Sequence, residues 1–375
     1  MKIALVAPLL ESIPPKKYGG TEWIVYYIAH EMGKRGHNVD LYASGDSKKE
    51  KEYNLISITS KNMRTNEKVV SPELQEAMKT ITLSDLAKVI SGKKYDIVHN
   101  HVGWRFLLFS QFIGANVVTT HHSLFTYEAQ NFAFRHYKNN FFVSISNNQR
   151  TGVEDLPFIA TVYNGINESL FPFQPFVKGG HKHIAFLARM NHEKGAIEAA
   201  KTAMQTRRQL HVASKVDIVD EEYYKQFKSI IDTKYVTLLG EIGHKDRLNL
   251  LQNARCLLAP INWEEPFGLM FVEALACGTP VIAFARGASP EVIADGSVGY
   301  LVNHPDVTVR RDLIIKKEGL SGLKEAVEKI YSLSDTEYAL MRKKCRQHFE
   351  KNFTSIKMVD GYEEVYNELI KKGMK

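Results

Sequence analysis

Short aliphatic runs alternate with segments of helical periodicity along the whole chain. Runs such as residues 2–9, 95–101 and 281–284 are each followed by a loop and then by a helical pattern or a polar turn. Buried parallel strands have this composition, because helices cover both faces of their sheet. The alternation recurs in both halves of a chain of 375 residues, which exceeds what one hydrophobic core usually holds. We therefore expect an α/β protein with two doubly wound, Rossmann-like domains facing a cleft.

A change in composition marks the expected domain boundary. Residues 171–180 contain two prolines and two glycines and show no periodicity, which is typical of a linker. We therefore expect residues 1–170 to form an N-terminal domain and residues 171–354 to form a C-terminal domain. Residues 355–375 are expected to form a final helix.

Composition and charge exclude several classes of protein. No apolar run is long enough to span a membrane, and the amino-terminal residues lack the apolar core and cleavage site of a signal peptide. The net charge of +7 is modest and its basic residues are spread over both halves, so nucleic-acid binding is not indicated. Peripheral contact with the inner face of an anionic membrane stays open. Cys256, Cys277 and Cys345 show no paired metal spacing and indicate reduced thiols of a cytoplasmic protein.

Residues 259–293 concentrate the features that suggest chemistry. Pro266 suits the first position of a helix, where its missing N–H costs nothing, so a helix is expected over residues 267–277. Glu265 then lies in the loop just before that helix. The first backbone N–H groups of the helix have no intrahelical partner and, with the helix dipole, favour an anionic or hydroxyl-rich ligand.

A second carboxylate, Glu273, lies farther along the same expected helix. Its apolar neighbours Val272 and Ala274 indicate partial burial, so that its carboxylate needs a partner. Carboxylates accept hydrogen bonds from hydroxyl groups, and two of them flanking an anion site would suit a nucleotide sugar. From spacing alone the alternative stays open that Glu265 ends a solvated loop and Glu273 is a surface helix residue.

The same stretch resembles a known signature. Glu265-Pro-Phe-Gly-Leu, followed by Glu273-Ala-Leu-Ala-Cys-Gly-Thr-Pro-Val-Ile, is similar to the E-x7-E motif of family 4 retaining glycosyltransferases. The resemblance covers essentially the whole chain and implies a GT-B fold. It also implies that the N-terminal domain faces the acceptor, that the C-terminal domain binds the donor, and that the final helix, residues 355–375, packs back on the N-terminal domain.

Two basic residues five positions apart are candidates for binding phosphate. Arg189 and Lys194 lie in the loop that follows a strand, and a guanidinium is a good bidentate partner of phosphate. They could equally be a solvated charge pair, but their spacing also resembles the family's Arg-x4-Lys-Gly motif. The resemblance therefore implies that they bind the donor diphosphate.

Further donor contacts are expected at loop and strand ends. Gly19 and Gly20 follow the first strand, and the resemblance implies that this loop faces the diphosphate. The resemblance also implies that His121 reaches the donor sugar and that His101 assists at the same edge. The start of the expected helix supplies the remaining donor contacts, which are Phe267, Gly268 and Leu269.

The histidines at two strand ends also allow other interpretations. His99, His101, His121 and His122 could hold a metal ion, but their spacing matches no known site and no carboxylate accompanies them. His101 could instead be a hydrogen-bonded histidine that only caps its strand. We expect no metal and no cofactor apart from the nucleotide-sugar donor.

The expected reaction is retaining transfer of a sugar from a nucleoside diphosphate sugar to an acceptor hydroxyl. We expect catalytic roles for Glu265 and His121, and cations in place of a metal at the leaving diphosphate. A UDP-sugar is the first choice of donor and GDP-mannose the second. The acceptor stays open among saccharides, lipid-linked sugars and small molecules, and so does the oligomeric state. The alternatives are a GT-B nucleotide-sugar epimerase and a non-catalytic nucleotide-sugar-binding module.

Overall fold

The structure is a computed structural model that describes residues 1–16, 19–66, 71–175, 182–308 and 310–372. The chain divides into two compact units. Unit 1 comprises Met1–Asn167 with Ser355–Lys375, and unit 2 comprises Glu168–Thr354. The sequence placed the corresponding boundaries after residues 170 and 354. The second half of the expected linker, residues 176–180, lies outside the described residues.

Unit 1 is built on a parallel sheet in which seven strands are described. They are β1 (Lys2–Val6), β2 (Asn38–Ser44), β3 (Asn54–Thr59), β4 (Ile97–Asn100), β5 (Asn116–Thr120), β6 (Phe141–Ser144) and β7 (Phe158–Thr161). Their order across the sheet is β3-β2-β1-β4-β5-β6-β7, and every pairing is parallel. The central strands are buried on both faces because helices cover them, whereas the edge strand β3 is partly exposed.

Unit 1 also contains helices in its described part. They are α1 (Gly20–Lys34), α2 (Pro72–Ser91), the short α3 (Trp104–Leu107), α4 (Glu128–His136) and α12 (Ser355–Lys371). Helix α2 is capped by Ser71, whose side chain accepts a hydrogen bond from the backbone N–H of Leu74. The final helix α12 packs on α1, and its Tyr366 is fully buried.

Unit 2 repeats the same architecture with six described strands. They are β8 (His183–Leu187), β9 (Leu210–Ala213), β10 (Val236–Gly240), β11 (Ala254–Ala259), β12 (Val281–Phe284) and β13 (Gly299–Val302). Their order is β10-β9-β8-β11-β12-β13, again with parallel pairings throughout. The sequence analysis missed β13, a run of four residues without a helical segment directly after it.

The helices of unit 2 complete the second layered structure. They are α5 (Ala196–Thr206), α6 (Glu221–Ile230), α7 (His244–Asn253), α8 (Leu269–Ala276), the short α9 (Ser289–Val292), α10 (Gly319–Ser332) and α11 (Asp335–Asn352). Helix α11 begins with a capping box, in which Ser334 and Glu337 bond each other's backbone N–H groups. The expectation of two doubly wound α/β domains is confirmed.

In each unit the strand order reverses direction at one point of the sheet. That point lies between β1 and β4 in unit 1 and between β8 and β11 in unit 2. Open α/β sheets bind their ligands outside the carboxyl ends of the strands at such a point. The loops after these four strands are therefore the places to look for a site.

Candidate active site

In unit 2 the loops after β8 and β11 bring a cation, a carboxylate and an indole together. Lys194 follows β8 and forms an ion pair with Glu265, which follows β11. Trp263 donates from its indole Nε1 to Glu265 Oε2 at 2.9 Å. The Lys194 ammonium lies 4.7 Å from the centre of the Trp263 ring. Lys194 and Glu265, predicted separately from two motifs, thus form one cluster at the switch point of the sheet.

The cluster depends on close contact between the two loops. Gly195 has φ +73°, and a Cβ built on it would lie 1.9 Å from the carbonyl oxygen of Pro260. Only glycine allows this approach, because any side chain would overlap the backbone of the loop after β11. The backbone N–H of Asn262 also donates to the carbonyl of Glu193 at 2.7 Å. The absence of a side chain at Gly195 therefore allows the two loops to approach closely enough for Lys194 to reach Glu265.

A third loop, after β12, supports Glu265 from the other side. Gly287 has φ +59°, and a Cβ there would lie 2.2 Å from the backbone nitrogen of Glu265. The N–H of Ala288 donates to the Glu265 carbonyl at 2.8 Å. The neighbouring Glu264 accepts hydrogen bonds from the N–H of Gly287 at 2.7 Å and from Arg286 Nε at 2.8 Å. Of the two adjacent carboxylates, Glu264 therefore holds the loop and Glu265 points into the cluster.

The helix after Glu265 begins later than the sequence predicted. The expected helix over residues 267–277, with Pro266 at its first position, is wrong at its start: α8 begins at Leu269. The reason is Gly268, whose left-handed backbone (φ +87°) cannot continue into a helix. The start of α8, at Gly268 and Leu269, still presents backbone N–H groups without intrahelical acceptors. Phe267 is buried and stacks edge-on with Phe353 at 6.0 Å, so its side chain belongs to the core.

Glu273 lies inside unit 2 with a partner that the sequence analysis did not identify. The residue is 7% exposed, which confirms the expected burial. Arg247 of α7 donates to Glu273 Oε1 from Nη1 at 2.9 Å. Burial raises the pKa of Glu273, while the Arg247 guanidinium opposes that rise. No spacing in the sequence links α7 to α8, so only the packing of the two helices identifies Arg247.

Arg189 lies among carboxylates and is not paired with Glu265. Its guanidinium forms ion pairs with Glu193 at 3.6 Å, Asp217 at 3.9 Å and Asp220 at 3.5 Å. Its side chain remains 38% exposed. A phosphate ligand would therefore compete with these three acids for Arg189, whereas Lys194 has one carboxylate partner.

In unit 1 the predicted residues lie at the carboxyl edge of the sheet. Gly19 and Gly20 lead into α1, while Lys17 and Tyr18 lie outside the described residues. A Cβ on Gly19 would lie 2.8 Å from Pro15 and 2.9 Å from Glu22 Oε2, so a side chain would not fit there. Glu22 is itself buried, which raises its pKa.

The predicted histidines follow β4 and β5 at this edge. His101 contacts His122 through Nδ1 and Nε2 at 2.9 Å, and its own Nε2 is buried without a hydrogen bond to any described residue. His121 Nε2 lies 2.7 Å from the Gln130 amide nitrogen, while Nδ1 lies 3.6 Å from the place where a Cβ on Gly103 would stand. A side chain at position 103 would therefore come into van der Waals contact with Nδ1 of His121.

Burial keeps these histidines uncharged. It lowers the pKa of His121 to about 4 and that of His122 to about 3. The pKa of His101 is well below its usual value for the same reason, with the neighbouring histidines adding to the effect. At neutral pH they offer hydrogen bonds to hydroxyl groups and no positive charge. His99 is fully buried and binds Tyr366 of α12 at 2.6 Å, which is a structural role.

Two family models match consecutive parts of the chain. Glycosyltransferase Family 4 matches residues 18–170, and Glycosyl transferases group 1 matches residues 168–330. The chain belongs to the family 4 glycosyltransferases. The second model contains the whole Lys194–Glu265 cluster together with Arg247 and Glu273.

The chain is also similar to individual known proteins, in sequence or in fold. Glycogen synthase of Mycobacterium tuberculosis is 28% identical over 160 residues, which is 40% of this chain and 37% of that protein. The chain thus matches little more than a third of that relative's length. Sucrose-phosphate synthase from Thermosynechococcus elongatus superposes with a TM-score of 0.77 at 18% identity, covering 99% of both chains. Anabaena Alr3699/HepE, solved in complex with UDP and glucose, has a TM-score of 0.73 at 15% identity and covers 98% of this chain and 100% of its own.

These likenesses establish a GT-B fold of two Rossmann-like domains. None of the helices in the described ranges combines the length and apolar character needed to cross a bilayer.

Proposed function

We propose that this glycosyltransferase moves a sugar from a nucleoside diphosphate sugar to an acceptor hydroxyl with retention of configuration at the anomeric carbon. The Lys194–Glu265 pair supports this most directly, because it combines a cation suited to phosphate with a carboxylate suited to sugar hydroxyls. We favour a UDP-sugar as donor and place GDP-mannose second. The complex of the structurally similar HepE with UDP and glucose supports that order.

Donor binding would exchange the partners within the cluster. Lys194 would turn from Glu265 to the diphosphate, and Glu265 would then accept hydrogen bonds from the sugar and orient its anomeric carbon. Arg189, the start of α8 and the Gly19-Gly20 loop would add positive charge or N–H donors at the diphosphate. Glu273 would hold the ribose hydroxyls, with Arg247 holding its carboxylate in place.

In the proposed reaction no side chain acts as nucleophile. The bond between the anomeric carbon and the leaving phosphate oxygen breaks while the acceptor oxygen bonds to the same face of the sugar. The acceptor's proton passes to the leaving phosphate. Lys194 and the N–H groups offset the charge that develops on the diphosphate, so the step needs no metal. His121, neutral at pH 7, would donate or accept a hydrogen bond at a sugar hydroxyl, and His101 would support that edge.

A thermal-shift screen tests the donor. UDP, GDP and ADP, each alone and as a sugar conjugate, are added to the protein at equal concentration. Stabilisation by a UDP-sugar beyond that by UDP supports the proposal, because the sugar then adds binding energy of its own. Stabilisation by none of these nucleotides would contradict it.

Product analysis separates transfer from the alternatives. An epimerase would change the donor sugar without an acceptor, whereas a transferase forms a glycoside only when an acceptor is present. A binding module would bind the donor and leave it intact in both reactions. The acceptors to be offered are saccharides, lipid-linked sugars and small molecules with free hydroxyls.

We also propose a cytoplasmic location with peripheral contact to the inner membrane face. Unit 1 exposes the aromatic residues Phe112 (66%), Tyr127 (72%) and Phe132 (73%), and Arg135 follows in the last turn of α4. Exposed aromatic side chains favour the interface of a bilayer, and Arg135 would exchange its present partner, Asp155 at 2.8 Å, for a lipid phosphate. Co-sedimentation with anionic but not neutral vesicles, reduced by Phe132→Ser, is the expected result. Equal recovery with both kinds of vesicle would contradict it.

A further inference from the structure

Helix α1 carries a second cluster of ionisable side chains, away from the residues of the candidate active site. It consists of His30 on α1 with Glu50 and Glu52, from the segment between β2 and β3. Each offers one ligand atom, and these atoms lie within 4.8 Å of one another. The side chains are 19%, 11% and 13% exposed, so the cluster is largely shielded from solvent. Within the described ranges, no other group of three or more histidine, cysteine or acidic side chains converges in this way.

Close packing of two backbone segments brings His30 near Glu50 and Glu52. Gly33 lies three residues after His30, and a Cβ on it would be 1.8 Å from the carbonyl oxygen of Glu52. The segment therefore rests directly on α1, which a residue with a side chain at this position would prevent. Tyr53 is buried, and its hydroxyl donates to the carbonyl of Lys48 at 2.8 Å, which fastens the other side of the segment. The three ligand positions are thus set by packed backbone.

The distances suit a small metal ion. His30 Nδ1 lies 2.7 Å from Glu50 Oε2 and 3.9 Å from Glu52 Oε2. Tetrahedral zinc, with bonds of roughly 2.0–2.2 Å, separates its ligand atoms by about 3.4 Å. To bind zinc, the distance from His30 Nδ1 to Glu50 Oε2 has to increase, and the distance to Glu52 Oε2 has to decrease, each by less than about 1 Å. Rotation of the side chains allows changes of this size. Water would take the fourth position.

Neighbouring groups orient one carboxylate for this purpose. Glu50 Oε1 accepts a hydrogen bond from the Tyr26 hydroxyl at 3.0 Å and pairs with Lys48 Nζ at 2.5 Å. Its other oxygen, Oε2, faces His30. Metal-binding carboxylates are commonly held in this way, with one oxygen on the ion and the other hydrogen-bonded to a second layer of residues.

The other carboxylate lacks a strong partner. Glu52 accepts no hydrogen bond from any residue that the structure describes, and the nearest group that can carry a positive charge is His30, at 3.9 Å. A largely buried carboxylate without a partner is unfavourable, and a divalent cation would neutralise it. Because imidazole suits zinc, copper, iron and nickel better than magnesium or calcium, the donor set favours a transition metal.

We propose that His30, Glu50 and Glu52 bind a zinc ion that ties α1 to the segment between β2 and β3. The role is structural and lies outside the glycosyl-transfer reaction proposed above. Lys48 pairs with the other oxygen of Glu50, Oε1, and so helps to hold the carboxylate with Oε2 facing His30.

The test uses the full chain after treatment with EDTA and removal of the chelator. Zinc chloride is titrated by calorimetry, and cobalt chloride is followed by visible absorption. We expect one ion per chain, the intense absorption bands of a tetrahedral cobalt complex, and a higher unfolding temperature in zinc. His30→Ala and Glu52→Gln should each weaken zinc binding at least about tenfold. The matched control His136→Ala, an exposed histidine of the same unit, should leave zinc binding unchanged.

Lys48→Met tests the orientation of Glu50. Loss of the ammonium at Glu50 Oε1 should weaken zinc binding less than His30→Ala does, because the Tyr26 hydroxyl still donates to the same oxygen. The proposal is overturned if the chain binds no zinc, or if zinc binding survives both His30→Ala and Glu52→Gln. Glu52→Gln preserves side-chain volume, so a folding failure of His30→Ala does not obscure the result.

Discussion

Lys194 and Glu265 neutralise each other in the structure, and this pairing explains how the two charges can lie largely buried at the switch point of unit 2. A buried charge is stable when a counter-charge accompanies it. Trp263 adds a hydrogen bond to Glu265 and a ring face to Lys194. A nucleotide-sugar donor offers both an anion and hydroxyl groups. In the proposed complex Lys194 would pair with the donor diphosphate, and Glu265 would accept hydrogen bonds from the sugar hydroxyls.

Removal of the two cations proposed to bind phosphate, Lys194 and Arg189, should affect nucleotide affinity unequally. Lys194→Ala should weaken binding of free nucleoside diphosphate by about 1.5–3 kcal/mol, the contribution of a charge-assisted hydrogen bond. Arg189→Ala should weaken it less, because three acids already share the Arg189 guanidinium. Isothermal titration calorimetry with UDP measures both effects, and Lys201→Ala, on the exposed side of α5, is the control. Unchanged affinity in both variants would remove the diphosphate contacts from the proposal.

Substitutions of Glu265 and Glu273 should have different effects on nucleotide affinity and on turnover. Glu265→Gln should lower turnover strongly and leave affinity for the free nucleotide nearly intact, because a free nucleotide has no sugar. Glu273→Gln should weaken the nucleotide itself, since a neutral amide accepts hydrogen bonds from ribose hydroxyls less well than a carboxylate. Glu273→Gln should also lower the free energy of unfolding by about 1–3 kcal/mol, because Arg247 then keeps its charge without a charged partner.

Calorimetric titration with free nucleotide, beside a turnover assay with the identified donor, tests this pair of variants. Loss of nucleotide binding in Glu265→Gln but not in Glu273→Gln would mean that the donor lies in the reverse orientation. The assignment of the two carboxylates would then be wrong.

At the scale of the elements, glycines control how closely the site loops approach one another. Gly287→Ala should destabilise unit 2 and reduce turnover, because the added Cβ would overlap the backbone of Glu265. Gly240→Ala is the matched control in the same unit: its φ is +70°, but nothing lies within 4 Å of the added Cβ. The control should cost only the left-handed backbone strain of about 1–2 kcal/mol. Gly287→Ala should cost about 1–3 kcal/mol more, from overpacking.

Urea unfolding and turnover of the two variants are to be compared. Equal losses in Gly287→Ala and Gly240→Ala would show that backbone strain alone matters. The contact between the loop after β12 and Glu265 would then have no separate role.

The histidine-rich edge of unit 1 should make stability depend on pH. In the folded protein the pKa of His121 is about 4 and that of His122 about 3, below the ordinary value of 6.5. The unfolded chain therefore takes up protons as the pH falls below that ordinary value, while the folded chain does not. Stability that is present at neutral pH should be lost as the pH falls from 6.5 towards 4.

Urea denaturation at about pH 7.5 and about pH 5 measures this loss. His122→Gln removes one of the groups and should reduce the difference between the two conditions. If the free energy of unfolding changes between the two pH values at least as much in His122→Gln as in the unsubstituted protein, the pH dependence does not come from His122.

At the scale of the whole molecule, the proposed reaction uses fixed cations and helix N–H groups in place of a metal. Turnover should therefore survive EDTA, measured with the identified donor and acceptor. Complete loss of turnover on chelation, restored by magnesium or manganese, would overturn the metal-independent reaction. The zinc site proposed on α1 predicts a different response to EDTA, a lower unfolding temperature without loss of turnover.

The sequence by itself determined the fold class and the main motif positions. Continuous aliphatic runs and the 3.6-residue periodicity are local features, so the alternation of strands and helices, and hence two doubly wound domains, could be predicted. The loops that carry Arg189, Lys194 and Glu265 could be located because strand ends are local features as well. Motif spacing identified Glu273, and its apolar neighbours correctly indicated burial.

Tertiary structure alone decided which of these residues meet. Lys194 and Glu265 are 71 residues apart, and their contact depends on the absence of a side chain at Gly195 beside Pro260. Arg247 reaches Glu273 through the packing of α7 on α8, and the start of α8 was set by the left-handed backbone of Gly268 rather than by Pro266. Periodicity reports only which face of one element is buried. Pairing between elements depends on the approach of backbones that are distant in sequence, which local patterns do not encode.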